Sequence, residues 1–290
     1  MIFDYDYLAR VSRDIVLYTN RKTSNILEGS FSSDVRGKSL DFDDLREYNP
    51  GDDIHDIDWK SSSRADRILI RRYVAQKKHN VLFVADTGPK MDADTPAGES
   101  KAELTLLCFG ALAYILGRQG CDFSLMQSNE RGIEMTPFRS DTLHLEQLMR
   151  NLGSTIDLPS AMPLEGLLKS ITERIHRRMV LMILTDLDGL KGITLPLLTE
   201  LSSRHDIYVF CVEDALYTGQ GVFDVAEFSY ADRIFTRSKK LRAAEEEVRR
   251  RILADFLDLA KRFRVSFTLL KSGSEIIDRI MELFERKKYE

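Results

Sequence analysis

Two uninterrupted apolar runs constrain the fold of this chain more than any other feature. Residues 81–85 and 180–184 are each five apolar residues in a row, and an aspartate follows each run closely, at Asp86 and Asp186. Runs of this kind are typical of parallel strands that are buried on both faces of a sheet. The chain must therefore also supply helices that cover both faces.

Segments with helical and strand patterns alternate through the rest of the chain. Helices are predicted at residues 100–118, 143–152, 164–175, 194–203, 239–263 and 274–287, and further strands at 123–127, 133–138, 207–212 and 265–270. This alternation predicts βαβ units. The predicted fold class is therefore α/β, with a doubly wound, mostly parallel sheet and helices on both faces.

The first 78 residues have a different pattern and are predicted to form a small N-terminal appendage. Apolar residues recur at three- and four-residue steps over residues 4–18, which predicts a helix, whereas residues 21–38 have no regular pattern. Residues 67–76 alternate as an antiparallel or edge strand does. The predicted domains are residues 1–78, an appendage of helix and irregular β structure, and residues 79–290, the α/β domain.

Composition narrows the class of protein further. The formal net charge is −4, from 42 basic and 46 acidic side chains, which argues against nucleic acid as a partner. The three cysteines stand at unrelated spacings, which disfavours a disulfide framework or a zinc site. No signal peptide or membrane-spanning segment is expected, because no apolar run reaches the roughly 20 residues required. The predicted location is cytoplasmic, with peripheral membrane association only through a partner.

A dense cluster of charge lies in residues 45–64, around Pro50-Gly51 and the only tryptophan of the chain, Trp59. The Pro-Gly pair predicts a turn. The cluster is too dense in charge for an ordinary strand. Ile54, Ile57 and Trp59 are the apolar residues expected to anchor the segment to a core.

The charged side chains of this stretch make it a candidate interaction surface. Arg46 and Arg64 are expected to neutralise its carboxylates and to hold the appendage on the α/β domain. The candidate residues are Arg46, Glu47, Tyr48, Gly51, Asp52, Asp53, Asp56, Asp58, Trp59 and Arg64.

A family resemblance rests on the same stretch. Residues 37–59 read Gly-Lys-Ser-Leu-Asp-Phe-Asp-Asp-Leu-Arg-Glu-Tyr-Asn-Pro-Gly-Asp-Asp-Ile-His-Asp-Ile-Asp-Trp, and Ser63-Arg64 follow. This resembles the signature of the bacterial family called domain of unknown function 58. The resemblance extends over nearly the whole chain and implies a von Willebrand factor type A-like domain. Such domains are often encoded beside MoxR-type AAA+ ATPases, so the resemblance implies an ATPase of this type as partner.

The resemblance also implies a position for a degenerate metal site. Von Willebrand type A domains that bind metal have an Asp-x-Ser-x-Ser loop after the first strand, a distant Thr and a further Asp. Here residues 86–90 read Asp-Thr-Gly-Pro-Lys, so both serine positions have changed, and Lys90 is expected to pair with Asp86 or Asp186. The residues that would hold Mg²⁺ are Asp86 and Asp186. Asp188 would be a further carboxylate, and either Ser160 or Thr155 would supply the distant hydroxyl.

Recognisable catalytic motifs are absent from the sequence. It contains no Gly-x-x-x-x-Gly-Lys-Ser/Thr phosphate loop, no Gly-x-Ser-x-Gly elbow and no His-Glu-x-x-His. The leading hypothesis is a non-enzymatic protein-interaction module without a cofactor, an adaptor or co-chaperone of a MoxR-type AAA+ ATPase. The alternative is a metal-dependent enzyme of the hydrolase class that uses Asp86, Asp186 and the clustered aspartates of residues 45–64.

Overall fold

The structure is a computed structural model that describes residues 40–49, 51–75, 80–216, 223–224, 229–230 and 238–289. These residues group into two compact units, one within Ser33–Lys78 and one within His79–Glu290. We call them the signature unit and the α/β unit. The helix predicted at residues 4–18 and the irregular segment at 21–38 lie outside the described residues. The assignment of residues 1–78 to one appendage stays a prediction.

The signature unit is built on a two-stranded antiparallel ribbon. Its elements are strand β1 (Leu40–Glu47), a short 3-10 helix (Ile54–Asp56), helix α1 (Trp59–Ala65) and strand β2 (Leu69–Ala75), which pairs with β1. The antiparallel strand predicted at residues 67–76 is found as β2.

The expectation that residues 45–64 are too charged for a strand is wrong for the beginning of this stretch. Leu45, Arg46 and Glu47 are the last three residues of β1. The ribbon accommodates them because the side chains of Arg46 and Glu47 are exposed to water. Glu47 Oε1 also accepts a hydrogen bond from Arg67 Nη1 at 2.6 Å.

The α/β unit contains a six-stranded sheet. Its strands are β3 (Asn80–Ala85), β4 (Asp122–Asn129), β5 (Gly132–Met135), β6 (Val180–Asp186), β7 (Asp206–Val212) and, after the separate short pair β8 (Phe223–Asp224) and β9 (Ser229–Tyr230), β10 (Ser266–Leu270). The strand order is β10-β7-β6-β3-β4-β5, and every pair is parallel except β4 with β5.

Helices cover both faces of this sheet. They are α2 (Lys101–Arg118), α3 (Thr142–Thr155), α4 (Leu164–Arg174), α5 (Leu187–Leu190), α6 (Leu195–Ser202), α7 (Lys239–Arg262) and α8 (Ile276–Tyr289), with short 3-10 helices at Pro89–Asp92 and Gly273–Glu275. No helix in the described part of the chain is both long and apolar enough to cross a membrane.

The side chains of β3 show how the two helical layers are held. Residues 81–85 are completely buried. Phe83 packs in one apolar cluster with α2, α3 and α8, whereas Leu82 and Val84 pack in the other with α4, α6 and α7. A strand buried on both faces requires the uninterrupted apolar run that the sequence has. The predicted fold class, a doubly wound α/β unit, is confirmed.

The strand order changes direction between β3 and β6. The chain leaves β3 toward β4 and β5 on one side, and then returns to place β6 on the other side of β3. In open α/β sheets, ligands bind beyond the carboxyl ends of the strands at such a switch point. Asp86 directly follows β3, and Asp186 is the last residue of β6.

Candidate functional site

Asp86 and Asp186 lie next to each other at the switch point. The parallel pairing of β3 with β6 sets Ala85 opposite Leu184, and the Asp86 amide donates to the Leu184 carbonyl at 2.9 Å. Both aspartates are only 1% exposed. Two carboxylates at this depth require neutralising partners, because desolvation of an unpaired charge is very unfavourable.

Lys90 is one of these partners. Its Nζ lies 2.6 Å from Asp86 Oδ2 and 3.0 Å from Asp186 Oδ1. The loop geometry directs it there: Gly88 has a φ of 135°, which favours glycine, and Pro89 begins the 3-10 helix that carries Lys90. The structure thus places Lys90 against both aspartates, where the sequence left the choice between them open.

Lys101 is the second partner, and the sequence reasoning missed it. It is the first residue of α2, yet it is only 1% exposed. Its Nζ donates to Asp186 Oδ2 at 2.7 Å, to the Lys90 carbonyl at 2.9 Å and to the carboxylate of Asp214, just after β7. We call Asp86, Lys90, Lys101, Asp186 and Asp214 the switch-point network. The available signal was a lysine at the start of an otherwise apolar helix.

Two further groups complete the coordination of the aspartates by hydrogen bonds. Thr185 Oγ1 donates to Asp86 Oδ2 at 2.8 Å, and the Gly189 amide donates to Asp186 Oδ1 at 2.8 Å. A Cβ at Gly189 would lie 2.0 Å from Thr185 Oγ1 and 2.2 Å from Asp86 Oδ2. The close packing of the loop after β6 against the network therefore requires glycine at this position.

Burial and charge act in opposite directions on the pKa values of the network. Burial alone would raise the pKa of Asp186, but the ammonium groups of Lys101 and Lys90 outweigh burial and lower it to about 2. Burial would lower the pKa of each lysine, yet the neighbouring carboxylates raise both above the ordinary value. For Asp86, burial outweighs the effect of Lys90, and the pKa is raised. Asp186 is thus held ionised between two ammonium groups.

The side chains at the switch point do not fit a site for a hard cation. Mg²⁺ and Ca²⁺ require several oxygen ligands directed at one point. Here three of the four carboxylate oxygens of Asp86 and Asp186 accept hydrogen bonds from lysine ammonium groups. Within the described ranges, no group of three or more His, Cys, Asp or Glu side chains is placed to hold a metal ion. The expectation that this metal site is degenerate stays a prediction.

The other proposed ligands have partners elsewhere. Asp188 is exposed and pairs with Lys191 at 2.7 Å. Ser160 Oγ donates to the Met162 carbonyl at 2.8 Å. Thr155 Oγ1 lies 2.9 Å from the Asn151 carbonyl and 3.1 Å from Gln127 Oε1. These contacts keep the choice between Ser160 and Thr155 undecided.

A cleft of about 580 Å³ lies beside the switch-point network. Helix α7 forms one wall with Val248 and Ile252, and Lys90 and Leu187 line the other. Arg249 fixes the helix there by donating to the carbonyl oxygens that follow β7. Four residues of the network line this cleft, and the most exposed of their side chains are those of Lys90, at 30%, and Asp214, at 19%.

In the signature unit, the predicted charge neutralisation is found at one position. Arg46 forms a bidentate ion pair with Asp52, at 2.7 and 2.6 Å. Arg64 is exposed and forms no ion pair with any residue that the structure describes. Asp53 and Asp58 are instead caps: they accept from the amides of His55 at 2.9 Å and of Ser61 at 3.0 Å.

The remaining signature residues shape the backbone of this unit. The Tyr48 amide donates to the Ile68 carbonyl at 2.9 Å, and Gly51 has a φ of 109° in the turn that was predicted there. Asp56 ends the 3-10 helix and is half-buried.

The expectation that Ile54 and Trp59 anchor the signature in a core is wrong. Ile54 is 63% exposed and Trp59 is 68% exposed, whereas Ile57 is buried. Ile57 forms a bridge to Ile70 of β2, which directs its side chain inward. Asp58 then caps α1, and the change from bridge to helix leaves Trp59, the first helical residue, in solvent.

Comparisons with known proteins agree with the family resemblance. Residues 44–252 match the family described as "Protein of unknown function DUF58". Uncharacterized protein Rv1480 of Mycobacterium tuberculosis and Uncharacterized protein Mb1516 of Mycobacterium bovis are each 22% identical over 209 residues, which is 71% of this chain. The chain spans 65% of the length of these curated relatives.

Two solved structures are similar to a part of this chain. BatB from Bacteroides thetaiotaomicron is 14% identical, with a TM-score of 0.44 over 73% of this chain and 100% of that chain. A von Willebrand factor type A structure from Catenulispora acidiphila is 8% identical, with a TM-score of 0.43 over 76% of this chain and 45% of that chain. The α/β fold class of this chain rests on the strand order of its own sheet. Because the family match covers well over half of its residues, the chain belongs to the DUF58 family.

Proposed function

We propose that this protein is a non-enzymatic protein-interaction module, an adaptor or co-chaperone that works with a MoxR-type AAA+ ATPase in the cytoplasm. The observation that carries the proposal is the switch-point network. An α/β enzyme places its reactive groups at this edge of the sheet, open to the substrate. Here Asp86, Asp186 and Lys101 are each 1% exposed and are bonded to one another or to Lys90.

The network supports a structural role for these charges. Lys101 connects the carboxyl ends of β6 and β7 through Asp186 and Asp214, and Lys90 connects β3 to β6. These ion pairs tie three neighbouring strands together at the edge from which the loops emerge. Rigid loops at a sheet edge favour recognition of a protein surface, because little conformational freedom is lost on binding. The choice of a MoxR-type ATPase as partner rests on the family resemblance.

Direct binding to a purified ATPase tests the proposal. The full chain is immobilised, and the MoxR-type AAA+ ATPase of the same organism is applied without nucleotide, with ADP and with a slowly hydrolysed ATP analogue. We expect saturable binding in at least one of these states, and none of an AAA+ ATPase from another class. Failure to bind in every nucleotide state would overturn the proposed partnership.

A further inference from the structure

We infer that the free edge of strand β10 is a docking site for an extended segment of a partner protein, which adds to the sheet as a further strand. The segment alternates acidic residues, directed at helix α8, with apolar residues. The inference rests on the proposed function only in that the partner is a protein. It names a surface and a mode of recognition that do not depend on the identity of the ATPase.

Strand β10 has a strand neighbour on one side only. It is the first strand in the order β10-β7-β6-β3-β4-β5 and pairs with β7. The Leu270 carbonyl accepts from the Glu213 amide at 2.8 Å, so Leu270 directs its backbone groups at the β7 side. The backbone groups of successive residues in a strand point to opposite sides, so those of Phe267 and Leu269 point to the free edge. No strand among the described residues pairs with them there.

This edge lacks the features that usually prevent a further strand from adding to a sheet. Such features include charged residues, proline, bulges and very short strands. β10 reads Ser-Phe-Thr-Leu-Leu, without charge or proline, and its register with β7 is continuous. The strand at the opposite edge, β5, is four residues long and contains Gly132 and Glu134. Of these two edges, β10 is therefore the one suited to pairing.

A groove of about 240 Å³ lies along this edge, between β10 and helix α8. The β10 residues that line it are Phe267, Thr268 and Leu269, and the α8 residues are Arg279, Glu282, Leu283 and Arg286. The four α8 residues follow one another at three- and four-residue steps, which places them on one face of the helix. The volume is below the roughly 300–1,000 Å³ of sites that enclose a small molecule. It fits the alternate side chains of a strand that lies along the edge.

The two faces of β10 determine what the added strand must carry. Leu270 packs in the apolar cluster that contains α8, whereas Phe267 and Leu269 are half-buried and pack against the cluster that contains α7. Side chains of neighbouring strands lie beside each other on the same face of a sheet. Every second residue of the added strand therefore lies beside Phe267 and Leu269 and is apolar. The residues between them face α8.

The groove presents mainly positive charge to those residues. Its charged lining side chains are three cations and one carboxylate: Lys271, Arg279, Arg286 and Glu282. Arg279 and Arg286 share Glu282. Arg279 and Lys271 have further partners in Glu275 and Glu213, at 3.3 Å each, whereas Arg286 forms no second ion pair within the described residues. Arg286 is 66% exposed, and exposed ion pairs exchange partners at little cost. A carboxylate of the added strand can therefore bind Arg286.

A designed peptide tests this mode of recognition. The probe is a fluorescein-labelled peptide of four glutamates alternating with three valines, and fluorescence anisotropy measures its binding to the full chain. We expect saturable binding. Methylation of the valine amides removes one alternate set of N–H groups, and methylation of the glutamate amides removes the other, but only one set can point to β10. One methylated peptide should therefore bind about tenfold or more weakly, and the other about as well as the parent peptide.

Protein variants test the charge of the groove with a matched control. Arg286→Glu should weaken binding of the parent peptide by about tenfold, since it replaces attraction by repulsion. Arg242→Glu is the control. Arg242 is 59% exposed and pairs with Glu246 at the same four-residue spacing, but it lies on α7, outside the groove lining. Its replacement should change the affinity by less than about twofold at physiological salt.

The outcomes separate this inference from the proposed function. If the parent peptide does not bind at millimolar concentration, or if methylation of either set has the same effect, strand addition at β10 is refuted, and the ATPase partnership stands on its own test. If Arg286→Glu binds the peptide no more weakly than Arg242→Glu, the groove beside α8 is not the site. If the peptide binds as expected and the ATPase binds in no nucleotide state, the docking site stands and the proposed partnership is overturned.

Discussion

Replacement of Lys101 by methionine should destabilise the α/β unit strongly. The substitution keeps an unbranched side chain of similar length and removes only the ammonium group; the Lys101 side chain is 1% exposed. Removal of one partner from a buried ion pair costs about 3–5 kcal/mol. The lower end applies here, because Asp186 keeps Lys90 at 3.0 Å and the side chain of Asp214 is 19% exposed. We therefore expect the free energy of unfolding to fall by about 3 kcal/mol.

Urea denaturation at neutral pH, followed by far-ultraviolet circular dichroism, measures this change. Tryptophan fluorescence is unsuitable, because the only tryptophan, Trp59, belongs to the signature unit and is already exposed to water in the folded protein. The urea midpoint should fall while the slope of the transition stays constant, since the same surface is exposed on unfolding.

Lys191→Met is the matched control for this experiment. Lys191 pairs with Asp188, but their side chains are 56% and 65% exposed, so the loss should be below about 0.5 kcal/mol. If Lys101→Met costs no more than the control, the network does not stabilise the unit and the argument for its structural role fails.

Four further predictions concern the same residues and the signature cap. Because lysine ammonium groups outweigh burial and hold the pKa of Asp186 at about 2, below its ordinary 3.8, its stabilising contribution is complete above pH 3.8 and is lost as the pH falls through about 2. Acid titration of the unfolding free energy should show this loss of roughly 2 kcal/mol, and Asp186→Asn should lack it. Titration calorimetry of magnesium, manganese and calcium into the chelator-treated protein should show no saturable binding; tight binding that Asp86→Ala abolishes would revive the metal site. Gly189→Ala should lower the free energy of unfolding, measured by urea denaturation, by about 1–3 kcal/mol, because its added Cβ would lie 2.0 Å from Thr185 Oγ1. Gly192→Ala should cost clearly less, because its added Cβ meets no atom closer than 3.3 Å. Asp53→Ala removes the cap of the 3-10 helix and should lower the stability of the signature unit by up to about 1 kcal/mol, which thermal melting detects as a lower melting temperature. An unchanged melting curve would show that the cap is dispensable.

The α/β unit could be predicted from the sequence because its signal is repeated and local. A strand buried on both faces favours an uninterrupted apolar run, so the runs at residues 81–85 and 180–184 identify β3 and β6 almost residue for residue. The position of Asp86 and Asp186 at one edge then follows from parallel pairing alone.

The partners of Lys101 could not be predicted, because they lie far along the chain: a lysine at the start of an apolar helix is a signal, but it does not identify Asp186 and Asp214. A lysine in the first turn of a helix is ordinarily solvated, and nothing near it in sequence indicates that Asp186 and Asp214 will surround it. Trp59 was misassigned for a related reason. Apolar character suggests burial, but the direction of a side chain depends on whether its residue ends a bridge or begins a helix.

The distances along the chain between the residues of the network also affect how the protein folds while it is being synthesised. Lys101 precedes Asp186 by 85 residues and Asp214 by 113. At ordinary translation rates the ribosome needs roughly ten seconds to add the segment between them. During that interval the Lys101 ammonium has no buried carboxylate to receive it, and its dehydration is unfavourable. We therefore expect helix α2 to take its final position only after β6 and β7 have emerged from the ribosome.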